Sequence, residues 1–104
     1  MAEVKVNPGI CGLESQITIV SEDMQNACVK ITTHCPHVKQ MESELQDIDC
    51  FEECFSKINS SRVYQAADKH CKHAACPVPS AIIKGLEVAC GLALPKDVDF
   101  NIKK

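Results

Sequence analysis

The sequence predicts an α+β domain: a small antiparallel sheet of three N-terminal strands and a C-terminal strand, with about four helices packed on one face. Three observations carry this expectation. β-Branched, alternating stretches fill the first third of the chain, apolar residues at steps of three and four fill the middle, and one more alternating stretch closes it. At 104 residues the chain has the length of one domain, 1–104. Its hydrophobic content of 45% and charged content of 24% are those of a folded globule and exclude a disordered tail. A net charge of −3 argues against a large basic surface for nucleic acid.

The elements follow in order. Glu3–Asn7 alternates and reads as a short strand, closed by the turn signal Asn7-Pro8-Gly9. Gln16–Ser21 and Asn26–Thr33 are rich in Ile, Val and Thr, and polar Glu22–Gln25 joins them as a hairpin centred near Asp23. Setting Ile17 opposite Val29, Ile19 opposite Ala27 and Ser15 opposite Ile31 gathers the apolar residues on one face. Extended outward, that register sets Cys11 opposite Cys35. Val38, Met41, Leu45 and Ile48 predict a helix over about Pro36–Gln46, and Phe51, Cys54, Phe55 and Ile58 a shorter one. Asn59-Ser60-Ser61 supplies an N-cap for a third helix, whose inner face is Val63, Ala66, Ala67, His70 and Ala74. Pro77-Val78-Pro79-Ser80 opens a fourth, with Ile82, Ile83, Leu86, Ala89 and Cys90 inward and Gly91 just past its end. Val98–Ile102 reads as the closing strand.

Cysteine is the anomaly, at eight residues. The opening MAEVKVN lacks the apolar run of a secretory leader, and no stretch approaches a membrane span. The expected setting is therefore the cytoplasm, where clustered cysteines are more often metal ligands or catalytic thiols than disulfides. Cys11 sits in a turn before Gly12, Cys35 between a strand end and a helix start, and Cys76 ahead of the fourth helix. Convergent thiolates suit zinc or an iron–sulfur cluster, both of which accept soft anionic ligands. Cys54 and Cys90 fall on apolar faces and read as core filler, and Cys28, Cys50 and Cys71 sit at edges. A rival metal set would join Cys50 and Cys54 to His70 and His73, although His70 reads better as a satisfied interior histidine. A Cys–His nucleophile would use His34 or His37 beside Cys35, or His73 near Cys76. The chain holds no P-loop, GxGxxG, HExxH, GxSxG or CxxC.

The order of strand, Cys-Gly, hairpin, Cys before a helix, helical middle and Cys opening a last helix resembles the U-type iron–sulfur scaffold proteins, the NifU N-terminal domain family. The separations of 24 residues from Cys11 to Cys35 and 41 from Cys35 to Cys76 are similar too. The resemblance covers about residues 9–90 and implies that Cys11, Cys35 and Cys76 hold a nascent cluster or a zinc ion. It departs at Leu13, where that family has an acidic residue, and at Ala75, where it has His; its Pro-Pro-Val segment is missing. The chain as a whole is similar to an uncharacterised family of short prokaryotic proteins that share the His-Ala-Ala-Cys-Pro-Val-Pro stretch and the Gly-Leu-Ala-Leu-Pro-Lys-Asp-Val tail.

The leading expectation is a small cytoplasmic metal- or iron–sulfur-cluster-binding protein of carrier or scaffold type, not an enzyme. Cys11, Cys35 and Cys76 are its expected thiolate ligands, and a fourth position is open or filled by His37, His34 or His73. Its expected partner is a cluster donor or acceptor protein, with neither nucleic acid nor membrane involved. Two alternatives stand beside it: a cofactor-free interaction module, and a thiol enzyme or redox protein using Cys76.

Overall fold

Four isoleucines and valines of one hairpin, Ile17, Ile19, Val29 and Ile31, are completely enclosed, and the rest of the chain is arranged to enclose them. The computed structural model describes residues 1–104. Strands β1 (Ala2–Val6), β2 (Ser15–Val20), β3 (Asn26–Thr33) and β4 (Ile48–Asp49) form one antiparallel sheet in the order β1-β2-β3-β4. Helices α1 (Pro36–Lys39), α2 (Cys50–Cys54), α3 (Arg62–His70) and α4 (Val78–Ala89) complete the α+β domain, with 3₁₀ turns at Glu42–Glu44 and Ile58–Ser60. Burial alternates along β2 and β3, as a sheet with one covered face requires.

The hairpin forms with the expected face inward but in a different register. Ile17 pairs with Ile31 and Ile19 with Val29, two residues from the expected partners, so the inward set is kept. The cause lies at the turn. Pairing with β2 begins at Cys28 opposite Val20, so the loop spans residues 21–27, while Asn26 and Ala27 pair on the other edge of β3 with Asp49 and Ile48 of β4. The turn is tied by Asp23, whose Oδ1 accepts from the Gln25 and Asn26 N–H groups at 3.0 and 2.8 Å, while Met24 adopts a left-handed φ of 60°. The ladder ends at Ser15 opposite Thr33, their hydroxyls 2.8 Å apart, so it never reaches Cys11 or Cys35.

The fourth strand is Ile48–Asp49, not Val98–Ile102. From Ala93 onward the chain is exposed and carries no regular structure. The helix expected over Pro36–Gln46 stops at Lys39. Its periodic residues are nonetheless the ones that are buried: Val38, Met41, Leu45 and Ile48 all lie in the core. The intervening backbone tightens into i→i+3 hydrogen bonds, Met41 N–H to Val38 O and Leu45 N–H to Glu42 O. The segment is held along β3 by side chains. The Glu42 carboxylate accepts the Ile31 N–H, Lys39 Nζ donates to Ile31 O at 2.7 Å, and Gln46 Nε2 donates to Val29 O at 2.8 Å. A short helix followed by a 3₁₀ turn reaches these strand groups; a continuous helix would carry the same side chains around its axis.

The second expected helix forms as α2, but it turns Phe51, Phe55 and Ile58 outward and buries Cys50 and Glu53. Glu53 is the only charged side chain in the core. It accepts from Ser61 Oγ and from the Arg62 and Val63 N–H groups, at 3.0 and 2.7 Å for the two amides. These are amides that a helix start leaves without intrahelical partners, so a carboxylate on α2 caps α3. Ser61 is the N-cap as expected, with its Oγ accepting from Tyr64 N–H. On α4, the expected residues Ile82, Leu86, Ala89 and Cys90 are buried. Gly85 lets the helix lie directly on the sheet: a Cβ there would stand 2.5 Å from Ile19 Cδ1 and 2.9 Å from Val4 Cγ2. Gly91, at φ 74°, ends the helix, and Leu92 N–H returns to Glu87 O.

The Glu42 carboxyl is held below its usual value of 4.5, chiefly by the Ile31 N–H, against burial, which acts the other way. A depressed carboxylate contributes stability that is present above the unfolded value and lost as pH falls through the folded one. Urea unfolding of the wild type and of Glu42→Gln should therefore differ by about 1.5–3 kcal/mol at neutral pH, the range of a hydrogen bond to a charged group. The gap should shrink as pH drops below 4.5. A gap that stays constant with pH would remove this carboxylate from the account.

Candidate functional site

Two of the eight cysteines, Cys71 and Cys76, share one groove, and Cys35 lies within electrostatic reach of Cys71. Cys35 is the N-cap residue of α1, its N–H bonded to Thr33 Oγ1 at 3.1 Å. Cys71 is the C-cap of α3, where its N–H closes on Ala67 O at 2.8 Å. Cys76 ends the turn before α4, its N–H on His73 O at 3.2 Å. All three are half-buried against the core.

Cys71 is the centre of the group. Its thiol is pushed up to about 11, first by burial, then by the charge and hydrogen bond of the Cys76 thiol, then by Cys35. Two sulfurs from different segments therefore act on a third. On the inner side, the Cys71 thiol donates to the Met41 thioether at 3.6 Å, and Met41 is fully enclosed. On the outer side, Cys71 and Cys76 line an open groove of about 640 Å³ with Tyr64, Asp68 and His73. The donor set is soft: three thiols with a thioether behind them. As they stand, no three His, Cys, Asp or Glu side chains have the spacing of an assembled metal site.

The three thiols expected from sequence divide. Cys35 and Cys76 are both neighbours of Cys71. Cys11 lies in the exposed turn that follows Gly9, outside the ladder, and is not among the groups acting on Cys71. The expected opposition of Cys11 and Cys35 fails with the register that implied it. Of the three expected fourth ligands, His34 is exposed and His37 half-buried, and His73 is the one on the groove. Sequence reasoning missed Cys71 as a member. The available signal was its place at the end of α3, five residues before Cys76, where a short return loop must bring the two together.

The remaining cysteines take other roles. Cys50 and Cys90 form a disulfide that joins the start of α2 to the end of α4, and both are buried. Cys90 is in the core as expected, but as one half of a cross-link. That bond dissolves the rival set built on Cys50 and Cys54. His70 also leaves that set: its Nε2 hydrogen-bonds the Glu44 carboxylate, which makes it a satisfied interior histidine. Cys54 is half-buried, and burial pushes its thiol up to about 11. Cys28 is exposed, and its sulfur accepts the Asp47 N–H at 3.5 Å. No cysteine sulfur is hydrogen-bonded to a histidine.

The disulfide predicts a thiol count. Protein unfolded without reductant should take up six alkyl groups, and eight after reduction. Closing a loop of 40 residues also stabilises the fold by about 4 kcal/mol in the chain-entropy view. Most of that should be lost on reduction. Eight labels without reductant would contradict the bond.

Comparison with known proteins gives one family: the model of the family of unknown function DUF6951 matches residues 2–102. No curated protein and no solved structure matches the chain.

Proposed function

We propose that this chain, which belongs to the family of unknown function DUF6951, is a small binding protein for a soft metal ion or an iron–sulfur cluster. Its ligands in this proposal are the thiolates of Cys35, Cys71 and Cys76. The observation that carries the reading is the groove shared by Cys71 and Cys76, with the Met41 thioether 3.6 Å from the Cys71 thiol and Cys35 within electrostatic reach. Burial and neighbouring thiols oppose ionisation of Cys71. A bound cation relieves the repulsion among thiolates, so such a group gains most from a soft cation. The soft donors favour zinc, copper(I) or an iron–sulfur cluster over hard cations. His73 is the candidate for a fourth ligand, because it shares the groove with Cys71 and Cys76.

The open groove beside two of the thiols suits a carrier, in which the cargo is approached and exchanged by a donor or acceptor protein. No acid–base pair is required for that role. A cytoplasmic setting fits the proposal, since the three ligand thiols must stay reduced. Cys50 and Cys90, at 0% and 3% exposure, are shielded from thiol exchange, which requires access to the sulfur. No helix is long and apolar enough to cross a membrane.

One observation favours the cofactor-free interaction module instead: Phe55, Leu94, Phe100 and Ile102 are large apolar side chains left exposed. Metal analysis separates the readings. The full chain, purified without oxygen or chelator, should carry stoichiometric zinc, copper or iron, the last with acid-labile sulfide. Cys71→Ser and Cys76→Ser should weaken binding at least about tenfold, whereas Cys11→Ser should leave it unchanged. A metal-free chain, or variants that bind as the wild type does, would transfer the case to the interaction module.

A further inference from the structure

The sheet has two edges, and the chain treats them differently. The β3 edge is closed. Beyond its two pairs with β4, Val29 N–H goes to Leu45 O, Ile31 N–H to the Glu42 carboxylate, Ile31 O to Lys39 and Val29 O to Gln46. The β1 edge is open. The backbone of residues 2–6 hydrogen-bonds only to β2. An unpaired edge is a template for another strand.

The same molecule carries an unpaired segment with the alternation of a strand. Val98, Phe100 and Ile102 alternate with Asp99 and Asn101, and the apolar three are 58%, 74% and 87% exposed. Five residues match the five of β1. We infer that Val98–Ile102 adds antiparallel to β1 of a second copy of this chain, and that two copies exchange these segments about a two-fold axis. The register that aligns the two segments sets Val98 opposite Val6, Phe100 opposite Val4 and Ile102 opposite Ala2. All six then lie on the face covered by α4, because Ala2 and Val6 are buried and Val4 packs at Gly85. Phe100 would cover the half-buried Val4 and the half-buried Ala81 and Val88, which share the Gly85 face of α4. On the outer face Asp99 falls opposite Lys5, an opposite-charge cross-strand pair.

Charge also argues for a second copy over the chain's own edge. Gly91 lies against Met24, at the hairpin end of the sheet, which is the end where Ala2 pairs with Ile19. A tail running directly from there along its own β1 would be parallel to it and would set Asp99 beside Glu3. A tail from a partner arrives antiparallel and meets Lys5. Each copy offers one tail and one open edge, so a pair leaves neither unused.

The test is the mass of the full chain in solution by light scattering, with hydrogen exchange at residues 98–102. Two chains per particle and protected amides at Val98–Ile102 are expected. Phe100→Asp should return the particle to one chain that stays folded, with an unchanged far-UV circular dichroism spectrum, since Phe100 is 74% exposed and lies outside its own chain's core; its melting temperature should lose the concentration dependence of the dimer. Lys5→Glu should raise the dimer dissociation constant several-fold, and adding Asp99→Lys should restore it. A single chain at millimolar concentration would overturn the inference. So would a dimer indifferent to Phe100→Asp, or protected tail amides in a single chain, which would mean that the tail closes on its own β1.

Discussion

The segment Cys35–Asp49 is pinned along the β3 edge, and the helical side of the molecule is built on that constraint. The Glu42 carboxylate and the Lys39 ammonium take the N–H and C=O of one residue, Ile31, while Gln46 takes Val29 O. Polar groups at a strand edge must find partners where the chain covers them. Meeting that need with side chains keeps the covering segment short and places Met41 and Leu45 in the core without a long helix. The same segment carries Cys35 at one end and β4 at the other. There β4 pairs with Asn26 and Ala27, beyond the last pair of the hairpin.

Two further ties position the thiols. Glu53 caps α3 from α2, and the Cys50–Cys90 bond ties α2 to α4. With both ends of the α3–α4 pair anchored, the return loop from Cys71 to Pro77 is free to be specialised. It carries two half-buried thiols and no core side chain of its own. Met41 Sδ, placed by the β3-edge segment, lies beneath it at 3.6 Å. The proposed ligand group thus joins Cys71 and Cys76 of one return loop to Cys35 of a distant segment, positioned by long-range ties.

Local signals explain what the sequence made legible. Alternation identified the inward residues of β2 and β3, because a sheet covered on one face imposes a period of two. Steps of three and four identified Val38, Met41, Leu45 and Ile48 as core even where the backbone is not a continuous helix, since burial selects the residues and not the hydrogen-bond pattern. Ser61 and Gly91 marked helix ends through their own chemistry. What failed was long-range. The fourth strand, β4, is two residues with no pattern of its own, and the Cys11–Cys35 pairing failed with the hairpin register. Alternation at Val98–Ile102 is genuine, but alternation alone does not supply a partner edge within the chain. Phe51 and Phe55 were expected to mark the apolar stripe because they recur at helical spacing with Cys54 and Ile58, whereas Glu53, held by the start of α3, takes the inner side of α2. Of the site, Cys35 and Cys76 were legible from their places at element ends; Cys71 required knowing that α3 stops at His70.

X-ray absorption at the metal edge of the loaded, full-length chain tests the central claim most directly. The account predicts three sulfur scatterers at about 2.3 Å for zinc, falling to two in Cys71→Ser and staying at three in Cys11→Ser. A first shell of nitrogen and oxygen alone, or a sulfur shell that depends on Cys11 and not on Cys71, would contradict it.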